Sequence, residues 1–250
     1  MADIAAQSQD RGSEGTPRRI AVVIPVLGDL QALRTLLREL EPQAPAEVIV
    51  VSGRADAETA AVCHSYGWVY AESTANRGAQ LHTGATLTHA PVLWFLHADA
   101  MPPPDALDTI RSTLTDGIES GCFRFRFQGP STWYKRLLEA LVALRIRFGG
   151  MVYGDQGIFA TREAYFACGG FGLQPLFEEV TLVKKLRARR TFRVLPRGLP
   201  VATRRWERDG WCRRTLHNRW LALRFMLGAS PDTLAASYRR LVPSEKEHER

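Results

Sequence analysis

The sequence predicts a single α/β domain, a mostly parallel sheet flanked by helices, followed by a C-terminal helical extension. Three observations carry that prediction. Short apolar runs recur at 19–24, 48–51, 68–71 and 92–96, the length of strands buried on both faces. Segments of helical periodicity separate them, which gives the βαβαβαβ order of a parallel sheet. Polar residues (Ser52, Arg77, His97 and Asp99) fall just beyond the ends of successive runs, where open α/β sheets place their ligands.

In chain order, the first strand begins at Arg19 and ends at Pro25. Asp29 can cap a helix with Leu30, Leu33, Leu37 and Leu40 on one face, and Pro42 closes it. The second strand, 48–51, leads into Ser52-Gly53-Arg54. A short helix from about Ala57 to Ser65 ends at Gly67, before the third strand at 68–71. The helix after Arg77-Gly78 runs to Ala90, Pro91 breaks it, and the fourth strand follows at 92–96. Pro102, Pro103 and Pro104 keep that strand from continuing.

The second half is less regular. Phe123, Phe125 and Phe127 alternate with Arg124 and Arg126, a strand with one apolar and one basic face. A helix spans 133–148 and stops at Gly149-Gly150. The polar loop at 153–157 enters a short strand, and Gly169-Gly170-Phe171 leads to Glu178-Glu179 at the start of another helix. A helix dipole alone stabilises acidic residues there.

At 250 residues, 45% hydrophobic and 24% charged, the composition is that of an ordinary soluble domain. No uninterrupted apolar stretch is long enough to span a bilayer. Residues 1–18 are polar and read as a disordered lead-in rather than a signal peptide, and 242–250 as a charged tail, so a cytoplasmic protein is expected. The four cysteines form no C-x-x-C pair that would suggest zinc. A net charge of +7 favours anionic partners, and the absence of a recognisable nucleic-acid module sets nucleic acid aside. Neither G-x-G-x-x-G nor G-x-x-x-x-G-K-[ST] is present, so a diphosphate would be held by metal and arginine instead. Asp99 at a strand end suits either a loop cap or a ligand to a hard divalent cation.

Several segments together resemble the family 2 glycosyltransferases, with their GT-A nucleotide-sugar-binding fold, and within them the selenodomain-associated transferase 2 subgroup. The marks are Ile24-Pro25-Val26, Asn76-Arg77-Gly78-Ala79-Gln80, Phe95-Leu96-His97-Ala98-Asp99, Tyr153-Gly154-Asp155-Gln156-Gly157, Gly169-Gly170-Phe171, Glu178-Glu179-Val180 and Arg204-Arg205-Trp206-Glu207-Arg208. They run from about Arg19 to Tyr238. The GT-A domain is expected over 19–208 and the helical extension over 209–241.

The resemblance implies a nucleoside-diphosphate-sugar donor, a divalent cation (Mn or Mg) and an inverting transfer to an acceptor that is a small molecule or lipid-linked. His97-Ala98-Asp99 stands where the family carries D-x-D, with Asp99 as metal ligand. His97 would either ligate the metal or hydrogen-bond a ribose hydroxyl. Pro25, Val26, Ser52, Arg77, Gly78 and Gln80 would line the donor side. Glu179 occupies the position of the family's base, with Asp155 a second candidate. Gln156, Glu178, Arg205 and Trp206 would face the acceptor. Two positions depart from the family: Ser52-Gly53-Arg54 replaces the aspartate that helps hold the nucleotide base, and Ala202 replaces the glutamine of Q-x-x-R-W. These departures keep a second reading open, a catalytically degenerate module that binds nucleotide or an anionic membrane without turnover. In the extension, Leu216, Trp220, Leu223 and Leu227 share one helical face among Arg213, Arg214, Arg219 and Arg224. That face would either pack over the acceptor side of the sheet or touch an anionic membrane, and the apolar, basic stretch 137–148 would add to such a surface.

Overall fold

The computed structural model describes residues 19–114 and 117–240, so the expected lead-in and tail lie outside the described residues. In chain order its elements are β1 (Ile20–Val26), α1 (Leu30–Leu40), β2 (Glu47–Ser52), α2 (Ala57–Ser65), β3 (Val69–Glu72), α3 (Arg77–Thr86), β4 (Val92–Phe95) and α4 (Ala106–Thr113). There follow β5 (Ser120–Phe127), α5 (Trp133–Arg147), β6 (Phe159–Thr161), α6 (Arg162–Ala167), α7 (Val180–Ala188), β7 (Phe192–Val201), α8 (Arg204–Asp209), α9 (Trp211–Met226) and α10 (Pro231–Arg240). One seven-stranded sheet runs in the order β3-β2-β1-β4-β6-β5-β7. Only β6 is antiparallel to its neighbours. This is the mostly parallel, helix-flanked α/β domain that the apolar runs imply.

The runs are continuous because both faces of the sheet are covered. Val22 and Ile24 of β1 enter one core with Leu33, Leu36, Leu37 and Leu40 of α1. Ala21 and Val23 enter the other with Leu81 and Ala85 of α3, and with Leu182 and Leu186 of α7. The helices start at caps written in the sequence: Asp29 accepts from Ala32 N at 3.1 Å, Asp56 from Thr59 N at 3.0 Å and Asn76 from Ala79 N at 2.9 Å.

Pro25 does not end β1. The strand continues to Val26, with Pro25 opposite Val51 of β2. Ile20 and Val26 carbonyls accept from the β2 side while the Val23 carbonyl accepts from Leu96, so odd residues present their backbone groups to β4. Pairing with β4 stops at Val23, and the missing N–H of Pro25 lies past that point, where no partner is needed. Helix α3 ends at Thr86 rather than Ala90, because Thr88 Oγ1 accepts from Ala90 N and turns the chain towards β4.

The C-terminal helix corrects the reading that Leu216, Trp220, Leu223 and Leu227 pack onto the sheet. Those four are exposed, and α9 buries the opposite face through Arg214, Leu221 and Ala222. Leu221 and Ala222 join Phe177 and Leu234 of α10 in a third, separate core, with Phe225 packed against it. Among the described residues no helix is long and apolar enough to cross a membrane.

Candidate active site

The site forms where the strands of the parallel half end. Gln80, buried on α3, donates through Nε2 to the carbonyls of Val26 and Val51, both at 2.8 Å. It therefore ties the ends of β1 and β2 together, with its amide engaged within the protein. Ser52 is fully buried and its hydroxyl accepts from Arg54 N at 3.4 Å. Asp56, the nearest carboxylate after β2, is engaged as the cap of α2, and that backbone N–H from Thr59 holds it below the usual carboxylate range.

Helix α3 approaches the loop after α6 at Gly78. A Cβ there would sit 1.8 Å from Gly172 O, so only glycine permits the contact. Asn76 secures the same junction by donating to Leu173 O at 2.7 Å. The contact carries the next residue, Arg77, to Glu178, whose buried carboxylate accepts from Arg77 Nε. The donor-side arginine and the acceptor-side glutamate of the sequence reading are thus one ion pair.

His97 and Asp99 follow β4 in a tight turn, closed by Ala100 N donating to His97 O at 3.0 Å. Burial first, then the charges of Arg77 and Arg205, lower the His97 imidazole to about 3. It is neutral at ordinary pH, and its buried Nε2 has no hydrogen-bond partner. The one-turn 3-10 helix Gly154–Gln156 lies directly against it, since a Cβ on Gly154 would meet His97 Nε2 at 2.8 Å. Burial raises Asp155 in that turn to about 6, against the opposing charges of Arg145 and Arg77 and with the like charge of Asp99. Asp155 Oδ1 is also buried without a partner. Gln156 is fully buried: its Nε2 donates to Phe123 O at 3.1 Å and its Oε1 accepts from Tyr153 N at 3.4 Å. It braces the turn, and this corrects its assignment to acceptor contact.

Glu178 and Glu179 enter from a backbone bend at Phe177, which holds φ at 63° although it is not glycine. Such a conformation costs on the order of 1 kcal/mol and needs its surroundings to impose it. Here Gln174 Nε2 donates to Phe177 O at 2.7 Å, Gly172 N donates to Glu178 O at 3.0 Å, and the Phe177 ring packs on Phe225 at 4.7 Å. Glu179 stands at the N-terminus of α7 but makes no side-chain cap bond. Its Oε2 is buried and unpartnered. Burial, then the neighbouring Glu178, raises its carboxyl well above the usual range, with Arg77 opposing.

Arg205 and Trp206 lie on α8. Trp206 packs edge-on against Phe127 at 5.1 Å, which makes it half core. Arg205 is exposed and donates to Tyr238 Oη at 3.1 Å, while its charge reaches His97 and Asp155. Two residues that the sequence reading did not single out belong to the same neighbourhood. Arg145 of α5 lies over the Tyr153 ring at 4.6 Å and faces Asp155, with Nε buried and unpartnered. Tyr238 of α10 bonds both Arg205 and Arg214 and acts on Arg77. Neither carries a local motif, since Arg145 reads as one more basic position on an amphipathic helix.

Among the described residues no three His, Cys, Asp or Glu side chains form a ready-made metal cluster. An ion held mainly by substrate phosphates needs only one or two protein ligands. A neutral imidazole with a free buried nitrogen, two residues from a half-buried carboxylate, fits that requirement.

Comparison with known proteins bears on the fold and the family. The family model described as "Glycosyl transferase family 2" matches residues 21–174. No curated protein matches the chain. Among solved structures, the mannosyltransferase from Pyrobaculum calidifontis in complex with GDP-Man and Mn2+ is similar with a TM-score of 0.60 at 17% identity, covering 89% of this chain and 69% of that one. Glucosyl-3-phosphoglycerate synthase from Mycobacterium tuberculosis in complex with UDP gives a TM-score of 0.56 at 18% identity, over 74% of this chain and 72% of that one. The same synthase with Mn2+, UDP and glucosyl-3-phosphoglycerate gives 0.54 at 18% identity, over 72% and 70%.

Proposed function

The chain belongs to glycosyltransferase family 2, and from that premise we propose that it takes a nucleotide-sugar donor and that its transfer is metal-dependent and inverting. One observation supports this reading best. His97 Nε2, Asp155 Oδ1 and Glu179 Oε2 are buried without partners, and Arg77 acts electrostatically on all three groups. Buried polar atoms left unbonded are costly, so three in one neighbourhood are best understood as contacts kept for a ligand.

In this reading Asp99 and His97 hold a Mn or Mg ion, which supplies charge neutralisation to the departing diphosphate. Pro25 and Val26 wall the donor side, Ser52 lies beneath it, and Gln80 and Gly78 keep those walls in register. Arg77, steadied by Glu178, directs its remaining donors towards the diphosphate. Glu179 takes the proton of an acceptor hydroxyl on the face opposite the leaving group. Its raised carboxyl makes it a strong base once ionised. Asp155 is the alternative base, and Arg205 and Trp206 border the acceptor. The solved neighbours are in complex with UDP, with GDP-Man and Mn2+, and with glucosyl-3-phosphoglycerate, which supports a nucleotide-sugar donor and a small acceptor bearing a free hydroxyl.

A calorimetric screen of nucleoside-diphosphate sugars, with and without manganese, tests the proposal. At least one donor should bind only with metal and turn over when an acceptor is supplied. Failure of every donor to bind would end it. The fully buried Ser52 and the engaged Asp56 leave no free carboxylate in the loop between β2 and α2, and that favours the second reading, a degenerate module that binds without turnover. Donor hydrolysis that disappears in Glu179→Gln excludes the second reading.

A further inference from the structure

Helix α5 exposes Trp133, Leu137, Leu141, Leu144 and Phe148, and α9 with its cap exposes Leu216, Trp220, Leu223 and Leu227. At roughly 100° per residue each set falls within about 80° of arc, so each is one stripe along its helix. These are the large apolar side chains that a soluble protein ordinarily buries: Trp133 is 72% exposed, Phe148 and Leu227 each 77%. The two helices are neighbours. The Tyr134 ring lies 4.8 Å from the Trp211 ring, and Lys135 Nζ sits 5.6 Å over the same indole. Towards the other end of α5, Arg145 and Arg219 act on each other's charge and together on Tyr153. The inner faces are satisfied by other contacts, Glu139 by Arg126 and Phe127 N on α5, Leu221 and Ala222 by the third core on α9.

The charge around the stripes has one sign. Helix α9 contains no acidic residue, and the single one on α5, Glu139, is buried and paired. Arg136 and Arg147 flank the α5 stripe on one side. Arg213 and Arg224 flank the α9 stripe on one side and Arg219 on the other. None of these five arginines forms an ion pair among the described residues. An apolar stripe bordered by unpaired arginines is the pattern that inserts into the acyl boundary while its cations meet lipid phosphates. A second copy of the same surface would bring arginine against arginine. Residues 1–18 and 241–250, outside the described residues, are mostly polar in composition.

We propose that the paired faces of α5 and α9 dock the protein on an anionic lipid bilayer. Arg145, which leans on Tyr153 beside Asp155, extends from the same helix, so a docked molecule would hold the acceptor side of the site close to the headgroups. That last step rests on the transfer reading. The docking itself does not.

Vesicle sedimentation of the full chain tests the proposal without any donor or acceptor. Vesicles of phosphatidylcholine mixed with phosphatidylglycerol should bind the protein at least about tenfold more tightly than phosphatidylcholine alone, and the difference should shrink with added salt. The double variant Leu144→Glu with Trp220→Glu should lose that binding while retaining the wild-type melting temperature and metal-dependent nucleotide affinity. A second variant, Arg213→Gln with Arg219→Gln, changes only exposed charge and should lose the anionic preference. Absence of binding to anionic vesicles, or unchanged binding in both variants, would overturn the proposal. So would light scattering that shows a wild-type dimer converted to monomer by the apolar double variant. Nucleotide binding measured in parallel separates failure of this proposal from failure of the transfer reading.

Discussion

On the β1–β4 side of the sheet Gln80, Asn76 and Arg77 are closed into bonds within the protein, whereas three side chains of segments after β5 hold buried polar atoms with no partner. Gln80 is bonded to Val26 and Val51, Asn76 to Leu173, and Arg77 to Glu178. Asp155 Oδ1, Glu179 Oε2 and Arg145 Nε are buried and unbonded. In the proposed reading the first arrangement is a rigid frame on the donor side, and the second holds groups of perturbed protonation for the substrate. His97, at the end of β4, stands at the seam and shares the second character, with Nε2 unpartnered beside the Gly154 turn.

If that contrast is right, damage to the two sides separates binding from turnover. The largest expected effect is on Glu179→Gln, which should lower kcat by about 10²–10⁴-fold while leaving nucleotide affinity unchanged. Equal losses in kcat and in calorimetric affinity would erase the distinction. Next is Gly78→Ala, which drives a Cβ against the Gly172 carbonyl. It should cost about 1–3 kcal/mol in denaturant unfolding and weaken donor binding, because the frame has to shift as a unit.

A pH profile sharpens the assignment within the reactive side. The base works only as a carboxylate, and Glu179 is raised by burial and by Glu178, so kcat/KM should climb with pH through neutrality. A profile whose midpoint lies near 6 would transfer the role to Asp155, whose carboxyl is raised to about 6. The smallest effect belongs to Arg204→Ala, which removes an exposed 3.7 Å pairing with Asp29 between α8 and the start of α1. Stability in denaturant unfolding should fall by less than about 0.5 kcal/mol, as expected for an exposed pair.

The same contrast explains what the sequence made legible. Strands β1, β2 and β4 are visible because each is buried on both faces, and the helices after β1 and β2 begin at the local caps Asp29 and Asp56. Strand β7 has no such signature. It contains Pro196, Gly198 and Pro200, and it tolerates them because it lies at the sheet edge, where its register against β5 slips between Phe123 and Arg124. The residues of the candidate site that carry a motif (Arg77, His97, Asp99, Asp155 and Glu179) stand out in the sequence. Arg145 and Tyr238 do not, since what brings them in is helix packing between distant segments rather than spacing along the chain. The outward stripe of α9 was legible as a stripe but not in its direction. Periodicity gives an apolar face, and only the third core shows that the opposite face is the buried one.

The central claim is that the end of β4 holds a metal-bridged diphosphate, and isothermal titration of a nucleoside diphosphate with and without manganese addresses it most directly. The account predicts binding that requires manganese and falls by at least about tenfold in Asp99→Ala, with melting unchanged. Affinity that is the same without metal, or the same in Asp99→Ala, would contradict it.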